Sequence, residues 1–285
     1  MTPKLGILTP VVTLVPRAHA RWERDATIDD VARIAEAADR LGYDHLTCSE
    51  HVAVPELAVA ERGGRYWDPL ATFGYLAGRT TRIRFATNVL VLGYHHPLAI
   101  AKRYGTLDRI AQGRLVLGLG VGSLEEEFAL LDVPFADRGA RADDALRALR
   151  VALSDPAPAY DGEYYSFKEM VLDPAPMQTR VPFWIGGRTP RSLRRAVELA
   201  DGWCPFWLSA QKAATILASQ SLPGDFDVVL QTDVALDPSA KPDEARRIAA
   251  SFVDAGATIL SLRFVHHSVD HYIEQLEAMV KLLGQ

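Results

Sequence analysis

The sequence predicts an α/β fold: a closed (β/α)8 TIM barrel with an insertion between strands four and five. Three observations predict it. Short β-branched or apolar runs alternate with amphipathic helical stretches, the pattern of βα units around a parallel sheet. Eight such strands and eight principal helices can be placed, whereas an open doubly wound sheet needs fewer units and a topological switch point that is not found. At 285 residues and 48% hydrophobic side chains the chain buries one large core. No linker, repeat or charge tract marks a second unit, so residues 1–285 read as a single barrel domain.

The elements follow in order. Leu5–Leu8 is strand one, and a helix runs over Ile28–Leu41 with Thr27 as N-cap, acids in its first turn and Gly42 as its stop. His45–Ser49 is strand two and Pro69–Arg79 the next helix. Ile83–Val91 is strand three, with a helix from Pro97 to Ala111 ended by Gly113. Leu115–Leu119 is strand four, and a helical stretch at Glu125-Glu126-Glu127 precedes a longer helix over Arg138–Leu153. Residues 154–181 then break the rhythm with Pro156, Pro158, Pro174 and Pro176, and Tyr160–Phe167 reads as an inserted hairpin around Asp161-Gly162. Phe183–Ile185, Trp203–Pro205, Val228–Ala235 and Thr258–Leu262 are strands five to eight. Helices over 190–200, 209–219, 242–254 and Val269–Leu283 follow them.

Charge and cysteine usage exclude several classes. Lys and Arg number 31 against 36 Asp and Glu, a net charge of −5, which argues against a nucleic-acid binder. No apolar run is long enough to span a bilayer, and the N-terminal run is too short for a secretory signal, so a cytoplasmic enzyme is expected. Cys48 and Cys204 lie in different segments and suit two buried thiols.

In such barrels the loops after the strands build the active site. Thr9–Ala26 and Val52–Trp67 are far longer than the usual few residues. Strand two ends in Ser49-Glu50-His51, and a histidine there suits general acid or base work or a hydrogen bond to a ring. From position alone it reads equally as a loop cap; Glu50 beside it, able to fix its tautomer or to bind a polar cofactor edge, favours function. Asn88 is a poor strand-interior residue and suggests a bulge. Gly118, Gly120 and Gly122 before Ser123, and Gly186-Gly187-Arg188 before a helix, are turns at which backbone N–H groups can meet a phosphate. His95-His96 and His266-His267 suggest a metal only weakly, because adjacent strand residues face opposite ways and strand one offers no ligand. No metal site is expected.

The run from Trp67 to Arg141, with RIRFATNVLVLGYHHPLA and GRLVLGLGVGSLEEEF within it, resembles the luciferase-like monooxygenase superfamily. LGYDHLTCSEHV before it, and YDGEYYSF and PFWIGGRTPRSLRRAVELADGW after it, agree in order. The branch it resembles is that of coenzyme F420-dependent oxidoreductases. The resemblance implies a barrel with an insertion, a homodimer, and a deazaflavin or flavin held against strands two to four. It places Glu50 and His51 beside the redox ring as catalytic and cofactor-binding residues. It puts Thr87, Asn88 and Val89 behind the ring, with a non-prolyl cis peptide at Asn88–Val89. Val121, Gly122, Ser123, Gly186, Gly187 and Arg188 fall in the cofactor phosphate region. The sugar-phosphate dehydrogenases of the superfamily carry an aromatic soon after the histidine and a glutamate at the Ser123 position. This chain has neither, which sets that substrate class in doubt.

The resulting expectation is hydride transfer between coenzyme F420 and a small organic substrate, with Trp67, Trp207 and His267 among the substrate-binding residues. An FMNH2-dependent flavin monooxygenase is the alternative enzyme. A flavin-binding relative without turnover is a third reading, against which the Glu50–His51 pair speaks.

Overall fold

A computed structural model of the chain, describing residues 3–284, forms a closed parallel barrel. Its strands are β1 (Lys4–Ile7), β2 (His45–Cys48), β3 (Arg84–Thr87) with β4 (Leu90–Val91), β5 (Leu115–Gly120), β8 (Phe183–Ile185), β9 (Gly202–Trp203), β10 (Asp227–Gln231) and β11 (Ile259–Leu262). β3 and β4 are two pieces of one barrel strand: β3 pairs with β2, and both pair with β5. The circle closes where β1 pairs with β11, Lys4 opposite Ile259. The inserted hairpin is antiparallel, β6 (Tyr160–Asp161) against β7 (Ser166–Phe167).

The strands are buried on both faces, as expected of a sheet jacketed by helices. Ala86, Val116, Trp184, Cys204, Val229 and Ile259 form one inner cluster. The jacket comprises α1 (Ile28–Leu41), α3 (Pro69–Ala77), α4 (Pro97–Ile110), α6 (Arg138–Ser154), α7 (Pro190–Leu199), α8 (Ala210–Leu217), α9 (Pro242–Asp254) and α10 (Val269–Leu283). Short helices α2 (Val59–Arg62) and α5 (Glu125–Leu130) belong to the loops after β2 and β5. α1 starts at the expected N-cap Thr27, whose N–H donates to Asp30 Oδ2 at 2.8 Å, and stops at Gly42 in a left-handed conformation, φ +83°. Asp144 of α6 holds the hairpin by accepting from the Tyr160 hydroxyl and from the N–H groups of Tyr164 and Tyr165.

The third strand differs from the single run expected over Ile83–Val91. It breaks at Asn88–Val89, a cis peptide at the step the resemblance implies. Asn88 ends the ladder to β2: its N–H still donates to Cys48 O at 2.8 Å, but its carbonyl accepts from the Ser49 hydroxyl at 2.7 Å. The two long loops expected to be functional clasp each other. Arg65 donates to the carbonyls of Glu23 and Arg24 at 2.8 and 2.7 Å, and Thr13 bridges to Tyr66.

Candidate active site

The C-terminal ends of the strands open into a cavity of about 490 Å³. His51 stands in its wall, three residues beyond β2. Its Nδ1 lies 2.6 Å from Glu127 Oε2. A carboxylate only accepts, so Nδ1 carries the proton and Nε2 is the nitrogen free to take or give one. Glu127, on α5, is fully buried. It also accepts from Val52 N at 2.6 Å, Ala53 N at 3.2 Å and the Tyr94 hydroxyl at 2.7 Å. Burial alone would raise its carboxyl, but the bonds from His51 and Tyr94, the charge of His51 and the Val52 N–H outweigh it and hold it below its ordinary range. Tyr66 packs edge-on against the imidazole with centroids 4.4 Å apart.

This corrects the role expected for Glu50. It lines the cavity, but its oxygens go to His95 Nε2 at 2.6 Å and Val91 N at 2.7 Å. Neighbours on an extended segment face opposite ways, so Glu50 cannot serve the ring of His51. His95 is thereby explained without a metal, and His96 caps α4 by accepting from Leu98 N.

The glycine turns also sort differently. A Cβ on Gly118 would lie 1.9 Å from Thr87 O; on Gly120 or Gly186 it would lie 2.5 or 2.8 Å from a Val89 methyl. These three glycines make room for the corner at Thr87–Val89. Gly122 and Gly187 are the turn residues proper, at φ +78° and +102°. The expected anion site at the helix after Ser123 is weakened by Glu125, Glu126 and Glu127 in the first turn of α5. The start of α7, capped by Thr189 with Pro190 in its first turn and no acid there, keeps its positive end.

Of the expected site residues, Glu50, His51, Asn88, Val89, Val121, Gly122, Ser123, Gly186, Gly187 and Trp207 line the cavity. Thr87 does not; it is buried beneath, its hydroxyl donating to Gly118 O at 2.7 Å. Arg188 lies outside, its guanidinium over the Phe206 ring. Trp67 packs on the core and Tyr66 lines the cavity in its place. His267 stacks on His271, and His266 lines the cavity instead. Both are slips of one residue, which in extended chain reverse the face presented. Sequence reasoning missed Glu23 and Arg263 on the wall and Glu127 behind it.

Val89, Gly120 and Gly186 line the cavity together with His51, Ser123 and Gly187, and the Val89 methyls occupy the space that a Cβ on Gly120 or Gly186 would take. The model of the luciferase-like monooxygenase family matches residues 4–282, and the chain belongs to that family. It is 31% identical to an uncharacterized protein of Mycobacterium tuberculosis over 182 residues, 60% of this chain and 62% of that one. The chain thus spans about three fifths of the length of those first relatives. A second uncharacterized protein of that organism is 28% identical over 90% of this chain and 94% of its own length. The F420-dependent glucose-6-phosphate dehydrogenase of Microbacterium testaceum is 32% identical over 58% of this chain and 49% of its own. Among solved structures, an F420-dependent secondary alcohol dehydrogenase in complex with an F420-acetone adduct superposes with a TM-score of 0.78 at 14% identity, covering 99% of both chains. The oxygenating constituent of 3,6-diketocamphane monooxygenase from Pseudomonas putida, in complex with FMN, superposes at 0.74 and 16%, covering 99% of this chain and 98% of that one. At such identities the structural likeness is one of fold.

Proposed function

We propose that the protein is an oxidoreductase that moves a hydride between coenzyme F420 and a small organic substrate. The substrate would be a C=C, C=N or carbonyl compound, or an alcohol in the opposite direction. One observation carries the reading: an imidazole locked through Nδ1 to a buried carboxylate stands in the wall of a cavity that Val89, Gly120 and Gly186 also line. F420, when bound, supplies the two-electron hydride carrier. Val89, Gly120 and Gly186 would hold its ring, and Gly187 and the start of α7 would hold its phosphate. His51 Nε2 moves the proton that accompanies the hydride, and Glu127 keeps the ring in the tautomer that leaves Nε2 available. The loops clasped by Arg65 cover the substrate space. A homodimer goes with this reading, and sedimentation checks it.

Titrating the purified protein with F420 and FMN in each redox state tests the cofactor. F420 is expected to bind; binding of FMN alone would transfer the chain to the flavin monooxygenases. His51→Ala is expected to keep F420 affinity while turnover falls roughly 10²–10⁴-fold, the usual contribution of a positioned acid or base. Unchanged turnover would remove His51 from the proton path.

A further inference from the structure

A second polar group stands in the same cavity wall, away from His51 and on the far side of β1. The loop after β11 supplies His266 and the loop after β1 supplies Trp22 and Glu23. Trp22 Nε1 donates to His266 Nδ1 at 2.9 Å. In the neutral ring the proton therefore sits on Nε2. Burial first, then the neighbouring His271 and His267, lower His266 to about 4, so the ring is neutral at ordinary pH. Its Nε2 faces Glu23 Oε1 at 3.5 Å, too long for a good hydrogen bond, with no other hydrogen-bond partner among the described residues.

Glu23 is 2% exposed. It accepts from Ala20 N at 2.6 Å and Val11 N at 2.7 Å, which accounts for its part in shaping the loop. A carboxylate has about four acceptor positions, so one bond on each oxygen leaves capacity beside His266. The nearby cationic wall residue Arg263 is directed to Asp233, donating to its carbonyl at 3.3 Å. What remains is an N–H donor and a carboxylate acceptor side by side, both lining the cavity.

We propose that Glu23 and His266 form a subsite for an uncharged hydroxyl group of the substrate, which accepts from His266 Nε2–H and donates to Glu23 Oε1. A hydroxyl is the smallest group that does both through one atom. A carboxylate or phosphate would set its charge against Glu23 in a poorly solvated wall. That the hydroxyl belongs to a substrate rests on the oxidoreductase reading; the binding chemistry does not.

The test uses the full chain with isotope-labelled histidine, with and without F420, titrated with cyclohexanol and with cyclohexanecarboxylate. The His266 Nε2–H resonance is followed, assigned by its absence in His266→Gln. Cyclohexanol is expected to shift that resonance saturably and to bind at least about tenfold more tightly than the carboxylate, as a site built for a hydroxyl discriminates. In His266→Phe the alcohol is expected to bind at least about tenfold more weakly, since Glu23 loses the donor beside it. Trp22→Phe keeps the ring but releases Nδ1, and should lower alcohol affinity by allowing the other tautomer. Equal or tighter carboxylate binding, alcohol binding that leaves the His266 resonance unmoved, no saturable alcohol binding, or full affinity in both variants would each overturn the subsite. F420 affinity is read in the same samples. Its loss alone would sink the cofactor reading and leave the subsite standing.

Discussion

Four donors converge on the two oxygens of Glu127: His51 Nδ1, the Tyr94 hydroxyl, and the N–H groups of Val52 and Ala53. Glu127→Gln keeps the shape but turns one acceptor into a donor facing a donor. The expected outcome is a fall in kcat of about 100-fold with F420 affinity retained, because the histidine loses the partner that fixes its tautomer. Steady-state kinetics beside a cofactor titration checks it, and a change confined to KM would count against a positioning role. The same residue shows where the sequence stops being readable. His51 and its strand-end position stand out in the sequence, but its partner lies 76 positions away in a run of three glutamates that looks like a solvated helix start. Trp67 and His267 were the more conspicuous choices than Tyr66 and His266. Only the pleat decides which neighbour faces inward, and a loop does not keep a strand's alternation.

At the scale of elements, the helices were largely legible because their ends carry chemistry. α1 lies between Thr27 and Gly42 and α10 begins at Val269 after Ser268, as capping residues dictate. The strands are legible but less so at their ends, and the third takes a single range over Ile83–Val91 in the sequence although Asn88 marks a bulge inside it. The glycines of β5 recorded that break, yet their meaning needed the facing strand. Gly118→Ala would push a methyl to 1.9 Å from the Thr87 carbonyl, a contact with backbone that cannot rotate away. A loss of roughly 1–3 kcal/mol is expected, with weakened F420 binding as the corner shifts. Gly74→Ala on α3 is the counterpart, since nothing lies within 4 Å of its Cβ. There a gain of about 0.5–1 kcal/mol is expected from better helix propensity alone. Chemical denaturation of the two variants compares them directly; equal effects would undo the packing account of the glycine ladder.

For the whole molecule, stability against pH separates into two windows. Asp39, Asp44 and Asp201 have carboxyls below their ordinary range: burial opposes this, and hydrogen bonds from Ile83, His45 and Phe183 respectively lead the groups that overcome it. Their stabilisation is complete above the unfolded value near 3.8 and is lost only as pH falls below it. His266 acts earlier. Its folded value of about 4 against 6.5 means the unfolded chain takes up the proton first, so stability falls as pH drops from 6.5 towards 4. Fully expressed, that shift amounts to ~3 kcal/mol. Glu23 opposes it: burial raises its carboxyl, so its contribution declines as pH rises above 4.5. Burial also lowers His96, so in this range His266 and His96 act in one sense and Glu23 in the other. Replacing His266 with Phe removes its slope and leaves those of His96 and Glu23. Denaturant melts at intervals between pH 4 and 6.5 should show stability rising with pH by clearly less in the variant than in the wild type. A variant that gains as much stability as the wild type across this window would place the acid sensitivity elsewhere in the barrel.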